Sequence, residues 1–414
     1  MEGIKPFEKI LIVGAGPAGL LLALLLARKG IPSTVLESWD RLDERLRATQ
    51  YGVPATRVFQ RAGILEDMRA ESIASFPSIC WRRVSDHKRL VGIDLSVLED
   101  HPDRMTILPL NQTIQIMYRH CIEQTNGLVE IKFNHKVLTA DQDDTQVWVD
   151  VEVEEDGSKT TKRFYSDYVI GCDGATSTVR KALFGRNWPG QTFDSHLIVQ
   201  NVWYDGFEKY GWDGGNYMID PNVWGLIAKR GQGGLWRVTY GDVGGFDEDE
   251  YVHRRNAAFK KLLPGHPDPG DYTITQTNHF RIHNRCVDAM KVGRILLAAD
   301  AAHVCNPFGG YGCMTAVLDV DGLADCLVGL HQGKADADIL DKYAQIRREL
   351  FLQYVDARSM KNMNRIMNTN PDTVLETDKF LQLLADLEGD RDRTKAFLLK
   401  ISSIEHDFKQ YYRS

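Results

Sequence analysis

A chain of 414 residues, 43% hydrophobic and 26% charged, holds enough apolar material for a large core and exceeds the usual single-domain size. Its net charge of -7, with Lys and Arg dispersed along the chain, excludes the basic stripe of a nucleic-acid binder and favours a small organic substrate. Seven cysteines without CxxC spacing suggest neither a disulfide framework nor a metal site, so a reducing, cytoplasmic compartment is expected.

The opening MEGIKPFEK lacks the order of a signal peptide, and the apolar run Leu20 to Ala27 is far short of the roughly 20 residues that span a bilayer, so no transmembrane segment is expected. Ile10 to Val13 reads as a buried strand, Leu20 to Arg28 as a helix and Thr34 to Leu36 as a second strand. Between strand and helix stands Gly14-x-Gly16-x-x-Gly19. In such a βαβ unit Gly14 makes the tight turn, Gly16 admits a pyrophosphate and Gly19 lets helix and strand approach. The helix N-terminus then offers N–H groups to phosphate, and Glu37 offers a carboxylate to a ribose diol. An adenine dinucleotide is expected there.

Asp40 to Glu71 is charged and helical in pattern, with Arg41, Arg45, Arg47, Arg57 and Arg61; Arg47 lies where the returning chain would pass the cofactor. Strand-like Ser78 to Arg83 and Leu90 to Leu95 suggest an excursion, followed by a helix at Leu110 to Gln124. Val129 to Phe133, Lys136 to Thr139 and Val147 to Glu154 read as a small antiparallel layer. Tyr168 to Gly171 is a further buried strand, and Asp173-Gly174 precedes Ser177 to Arg180. That turn is either a plain helix cap or a second support for ribose and phosphate.

From Gln191 to His279 the chain is rich in aromatics, with strand alternation at Leu197 to Tyr204, Trp224 to Arg230 and Leu235 to Tyr240. The turn Gly231 to Gly234 would join the last two as a hairpin. Alternation puts Trp224, Leu226, Ala228 and Arg230 on one side of their strand, and Trp236, Val238 and Tyr240 on one side of theirs. Such a sheet suits either a wall over a flat ligand or an ordinary core. Ile295 to Ala298 is a strand ended by Asp300, and Pro307-Phe308-Gly-Gly310-Tyr-Gly312 opens a helix from Cys313 to about Leu330. The tail beyond Gly333 is helical and charged, a cap or an oligomer contact.

Three stretches, GAGPAG with Glu37, CDGATSTVR and GRILLAADAAHVCNPFGGYG, occur in the order and spacing of one family. The chain resembles the class A flavoprotein monooxygenases of the para-hydroxybenzoate hydroxylase type, with a fungal-like flavour in GGYGCMTAVLDVDGLADCL. The resemblance covers roughly residues 8 to 330. It implies an α/β (α+β mixed) fold: a Rossmann-like FAD-binding domain (1–75, 106–185, 286–335) interleaved with an antiparallel-sheet substrate domain (76–105, 186–285), then C-terminal helices (336–414). It implies bound FAD and transient NADPH or NADH. Gly14, Gly16, Gly19, Glu37, Arg47, Asn111, Val137, Asp173, Arg180, Asp300, Pro307, Gly310, Gly312 and Cys313 would contact these cofactors.

The same resemblance implies that dioxygen adds to reduced flavin as a C4a-hydroperoxyflavin, whose distal oxygen hydroxylates an aromatic or polyketide-type molecule of secondary metabolism. For a phenol, Arg230, Tyr217 and Tyr240 are the candidate catalytic groups, and Trp224, Leu226, Trp236 and Phe308 would line the substrate. A Baeyer–Villiger or epoxidising enzyme would use the same motifs, and a non-catalytic flavin-fold binding protein is the reading from another class; a homodimer is possible. Ala299 and Met314 depart from the family's usual Gly and Asn, and Asn111 from its Arg or Gln.

Overall fold

The structure is a computed structural model; it describes residues 7–45, 48–72, 78–155, 157–230, 234–243, 245–400 and 404–413. Arg47 and the hairpin turn at Gly231 to Gly233 lie outside the described residues.

A six-stranded sheet carries the nucleotide-binding part, in the order Lys291–Val292, Ile295–Leu297, Tyr168–Gly171, Ile10–Val13, Ser33–Leu36, Val129–Lys132. All its neighbours are parallel except the two-residue edge strand. Parallel strands are covered on both faces, which is why Ile10–Val13 is buried at every position. The helix Pro17–Ala27 is apolar all round and buried almost throughout, as a helix between layers must be. Because the strands are parallel, the turns after Val13, Leu36, Gly171 and Leu297 gather at one edge of the sheet.

Among the described residues of the segment expected to be helical from Asp40 onward, a two-residue strand stands at Gln50–Tyr51 and helices occupy only Val53–Ala62 and Leu65–Glu71. Gly52 and Pro54 start the first helix and Gly63, at φ 77°, stops it. The small antiparallel layer consists of His135–Gln142, Val147–Glu155 and Ser158–Ser166; Val129–Lys132, expected in it, pairs instead in parallel with Ser33–Leu36, and the edge strand Ser158–Ser166 is nearly all charged or polar and hence invisible to an apolar pattern.

An eight-stranded sheet forms the second part, in the order His303–Val304, Thr273–Cys286, Gly190–Trp203, Leu235–Asp242, Gly225–Lys229, Gly215–Ile219, Ser78–Arg83, Arg89–Asp94. Its register separates two faces, since residues opposite one another share a side. Trp81 opposite Tyr217, Tyr217 opposite Leu226 and Leu226 opposite Thr239 define the first. Ile227 opposite Val238, Val202 opposite Trp236 and Ile198 opposite Tyr240 define the second. The second face packs beneath the helix Glu248–Leu262 through Phe259 and Leu262.

The tail closes part of the first face. Met363 and Ile366 from the helix Ala357–Met367, Leu381 and Leu384 from Lys379–Leu387, and Leu398 from Arg391–Lys400 pack in one cluster with Trp81, Trp224 and Phe308. A π-helical turn, Phe351–Asp356, interrupts the path from Ile339–Leu350 to Ala357–Met367. The tail is thus a cap within its own chain.

Candidate active site

The three glycines of the first turn do three different jobs. Gly14 has φ 102°, a left-handed conformation, and a Cβ there would stand 2.7 Å from the Cys172 carbonyl. A Cβ on Gly19 would lie 2.0 Å from the Gly14 carbonyl, so helix and strand touch because neither carries a side chain. Gly16, by contrast, would point a Cβ into open space. That opening sits at the N-terminus of Pro17–Ala27, where unpaired N–H groups favour an anion.

Glu37 follows the second strand and faces the same turn, its Oε2 accepting from the Ala15 N–H at 2.8 Å and its Oε1 from Trp39 and Ser38. The carboxylate is thereby fixed, with lone pairs left for a diol. An open cradle at a helix N-terminus beside a fixed carboxylate fits the adenosine diphosphate portion of FAD.

At the turn after Tyr168–Gly171, Asp173 receives Ser177 Oγ (2.5 Å) and the Thr178 and Val179 N–H groups (2.6 and 3.2 Å). Burial pushes its carboxyl up. Arg180 is 4% exposed and donates to the Ala301 and Ala175 carbonyls at 3.2 and 2.8 Å, its guanidinium resting 3.6 Å over the Trp188 ring. Asp173 therefore caps a helix, and Arg180 clasps this turn to the next; both find their partners within the chain. Val137 is 5% exposed with its side chain in the main core, one position before a bulge. Asn111 stands half-buried in the first turn of Leu110–Glu123.

The third turn carries Asp300, half-buried in Ala299–Ala301 and close enough to Cys305 and Cys313 to help burial push both thiols up, that of Cys313 to about 12. Neither is a thiolate, so both act as small packing residues. Pro307, Phe308, Gly309 (φ 107°) and Gly310 (φ 68°) lead into the helix Tyr311–His331. Cβ atoms on Gly310 and Gly312 would meet nothing closer than 4.0 Å, so this helix N-terminus is also open.

The first face of the large sheet meets this loop. Tyr217 stacks on Trp81 (5.0 Å, 12°), and Trp224 meets Phe308 edge-on at 5.6 Å. Burial pushes the Tyr217 hydroxyl up to about 12, with Tyr311 adding to it and the Gly309 backbone pulling down. Leu226 shares this face. So do Thr239 and Arg237, in register with Leu226 and Ala228, and Asn201, whose Oδ1 accepts from Arg237 Nε at 3.2 Å.

Arg230 comes immediately after the strand Gly225–Lys229 and is 6% exposed. Its guanidinium has no hydrogen-bond or ion-pair partner among the described residues, and burial, then Arg237, lower its pKa while Tyr51 raises it. Tyr51 is itself fully buried, its hydroxyl 2.9 Å from Thr113 Oγ1.

Two expected site residues are misplaced. Trp236 and Tyr240 belong to the second face, away from the loop: Trp236 is 1% exposed, stacks on Phe207 at 4.4 Å and donates Nε1 to Glu208 at 3.1 Å, while Tyr240 lies against Phe259. Period-two alternation groups them correctly but cannot say which side faces the loop. Trp81, Tyr51, Thr113, Arg237, Asn201 and Thr239 escape sequence reading; the one available signal was that Arg237 and Thr239 alternate with the core aromatics.

Among the described residues no cluster of His, Cys, Asp or Glu could hold a metal ion, and no helix is long and apolar enough to cross a membrane. Residues 8–358 match the family model described as FAD binding domain. The chain is 32% identical over 403 residues to para-nitrophenol 4-monooxygenase of Pseudomonas sp., covering 97% of each. It is 31% identical over 367 residues to 6-hydroxy-3-succinoylpyridine 3-monooxygenase of Pseudomonas putida, covering 88% of this chain and 90% of that one. The crystal structure of p-nitrophenol 4-monooxygenase from Pseudomonas putida superposes with a TM-score of 0.85 at 32% identity, over 98% of this chain and 99% of that one.

Proposed function

The chain belongs to the FAD-binding-domain family of class A flavoprotein monooxygenases, and from that premise we propose that it hydroxylates a small phenol, bound as its phenolate, with NAD(P)H and dioxygen as co-substrates. The observation that carries this reading is Arg230, a buried cation without a partner among the described residues, just past the end of the strand Gly225–Lys229 on the side that meets the glycine loop. An unpaired charge there is costly unless an anion joins it.

Gly14, Gly16, Gly19 and Glu37 would hold the adenosine diphosphate end of FAD, and the turn at Asp300 with the loop Pro307 to Gly312 its ring end. When bound, FAD supplies the redox chemistry and the activation of dioxygen. The chain's own residues do the rest. Arg230 pairs with the phenolate oxygen, keeping its proton off and the ring rich in electrons. Leu226, Trp224, Tyr217 and Phe308 form an apolar wall that orients a flat ring and excludes water.

The reading favours ring hydroxylation over Baeyer–Villiger or epoxidising chemistry, because the relatives of matching length carry names of aromatic-ring monooxygenases. Those two relatives are bacterial and lend nothing to the fungal, secondary-metabolite branch, so a catabolic phenol is the better proposal. The chain holds one GxGxxG turn, so the nicotinamide donor would bind transiently across the site. All seven cysteines carry free thiols, which suits the cytoplasmic location we infer.

The test is substrate binding followed by the change in flavin absorbance across pH. Affinity should rise as each phenol ionises, and Arg230→Met should weaken binding about ten- to a hundredfold and erase that pH dependence. Arg230→Lys should recover part of it. Equal affinity in Arg230→Met for neutral and ionised phenols, at the level of the parent protein, would overturn the assignment.

A further inference from the structure

A buried knot of amides lies directly behind the glycine loop, and nothing in the chemistry above uses it. Asn306, 1% exposed, immediately precedes Pro307. Its backbone N–H donates to Asn284 Oδ1 at 2.8 Å, and its Nδ2 donates to the same oxygen at 3.2 Å and to Ser359 Oγ at 3.1 Å. Its own Oδ1 accepts from the Phe308 N–H at 3.1 Å, bending the chain into the loop. Asn284 passes its Nδ2 to Asp356 Oδ1 at 2.6 Å and to Ser359 Oγ at 3.2 Å. Asn362, one turn along the helix from Ser359, donates to the Phe308 carbonyl at 3.3 Å.

These residues come from three separate parts of the chain. Asn284 lies two residues before the end of the long strand Thr273–Cys286 of the substrate sheet, Asn306 belongs to the loop, and Asp356 and Ser359 flank the junction between the π-helical turn and Ala357–Met367. Ser359 is fully buried and Asn284 5% exposed, so no water replaces a lost partner cheaply. π-Turns recur at functional sites because the extra residue re-aims side chains that a regular helix would point elsewhere.

We infer that Asn306, clamped by Asn284 and Ser359, is a positioning residue that sets where the backbone of 307–312 stands and so couples the substrate sheet and the helix Ala357–Met367 to FAD binding. This rests on the reading of that loop as the face toward the flavin ring. The knot reaches the loop through the backbone N–H and C=O of Phe308, not through any side chain that would touch substrate. Its loss should loosen the loop without removing any side chain of the apolar wall.

Holoprotein serves for the experiment, with flavin release on dilution followed by fluorescence and the bound flavin's visible circular dichroism recorded in parallel. Asn306→Ala and Ser359→Ala should each weaken FAD retention about tenfold and alter the dichroism, and the double variant should fall short of the product of the two, as members of one network do. Leu384→Ala, in the tail's apolar cluster, serves as a control that lowers the melting temperature but leaves FAD affinity and dichroism unchanged. Where Asn306→Ala does not fold, Ser359→Ala, which removes a single hydroxyl, decides the matter. Parent protein that binds no FAD would overturn the flavin reading itself. Parent protein that binds FAD, with Asn306→Ala or Ser359→Ala matching it in affinity and dichroism, would overturn this inference alone.

Discussion

The backbone N–H of Ala299 donates to Asp319 Oδ2 at 3.0 Å, tying the turn that carries Asp300 to the middle of the helix Tyr311–His331. Ala299 takes φ 57° to make that bond, a left-handed conformation in which a Cβ is unwelcome. A glycine at this position would carry no such penalty. Ala299→Gly should therefore stabilise the protein, the relief of about 1–2 kcal/mol being partly offset by about 0.4–1 kcal/mol of added freedom in the unfolded chain. Urea unfolding of the two proteins side by side reads the difference, and a less stable Ala299→Gly would show that the turn is not strained.

Asp319 gathers more than that one bond. His303 Nε2 lies 2.7 Å from its Oδ2 and Arg347 Nε 2.8 Å from its Oδ1, and the three side chains are at most 1% exposed. Burial pushes the Asp319 carboxyl up, but His303 and Arg347 outweigh it and the net direction is down. A carboxyl that releases its proton more readily folded than unfolded contributes stability above its unfolded value of about 4, and that contribution is lost as pH falls through the lower folded value. Arg347→Met, which leaves a buried carboxylate short of its cation, should cost about 3–5 kcal/mol at neutral pH. The loss should shrink below pH about 4, where the parent protein gives up the same term. Thermal melts from pH 3 to 8 test the sign, and a constant gap between the two curves would refute it.

The two faces of the large sheet make a separable prediction. Trp236→Ala removes a ring stacked on Phe207 and should cost about 3–5 kcal/mol of stability, with turnover per folded molecule unchanged. Tyr240→Phe should leave substrate affinity at the parent value. Leu226→Ala, on the face with Tyr217 and Trp224, should instead raise KM with little effect on melting, since Leu226 is only partly buried. Steady-state kinetics beside urea melts distinguish the classes, and an altered KM in Tyr240→Phe would return that hydroxyl to the site.

The reason those faces were illegible in sequence is physical. Alternation in Leu235–Asp242 reports which residues share a side, and the side is chosen by whatever covers it. Here the cover is Glu248–Leu262, whose sequence EDEYVHRRNAAFKKL shows few apolar residues; Tyr251, Phe259 and Leu262 suffice to claim Trp236, Val238 and Tyr240. The strand Thr273–Cys286 hides for a related reason. Its place is held by a long antiparallel ladder to Gly190–Trp203, so TITQTNHFRIHNRC needs little apolar alternation. The Asn306 knot is invisible too, because its members lie 22 and 53 residues from Asn306 along the chain. The first turn was readable because glycine at each of its positions answers to a local constraint, which is spacing alone.

Gly16 and Gly19 allow that claim to be checked in two substitutions. At Gly16 the backbone has φ -76°, which any residue adopts, and an added Cβ meets nothing within 4 Å. Gly16→Ala should fold as well as the parent or slightly better, by about 0.4–1 kcal/mol from the stiffer unfolded chain. The methyl would nonetheless stand in the opening where a pyrophosphate must approach the backbone, so the purified protein should lose most of its flavin. At Gly19 the Cβ would stand 2.0 Å from the Gly14 carbonyl, and helix and strand must part to admit it. Gly19→Ala should lose stability and flavin together. Flavin content by absorbance, set against denaturant midpoints, reads both, and a Gly16→Ala protein that is stable and yellow at parental occupancy would remove the pyrophosphate from this turn.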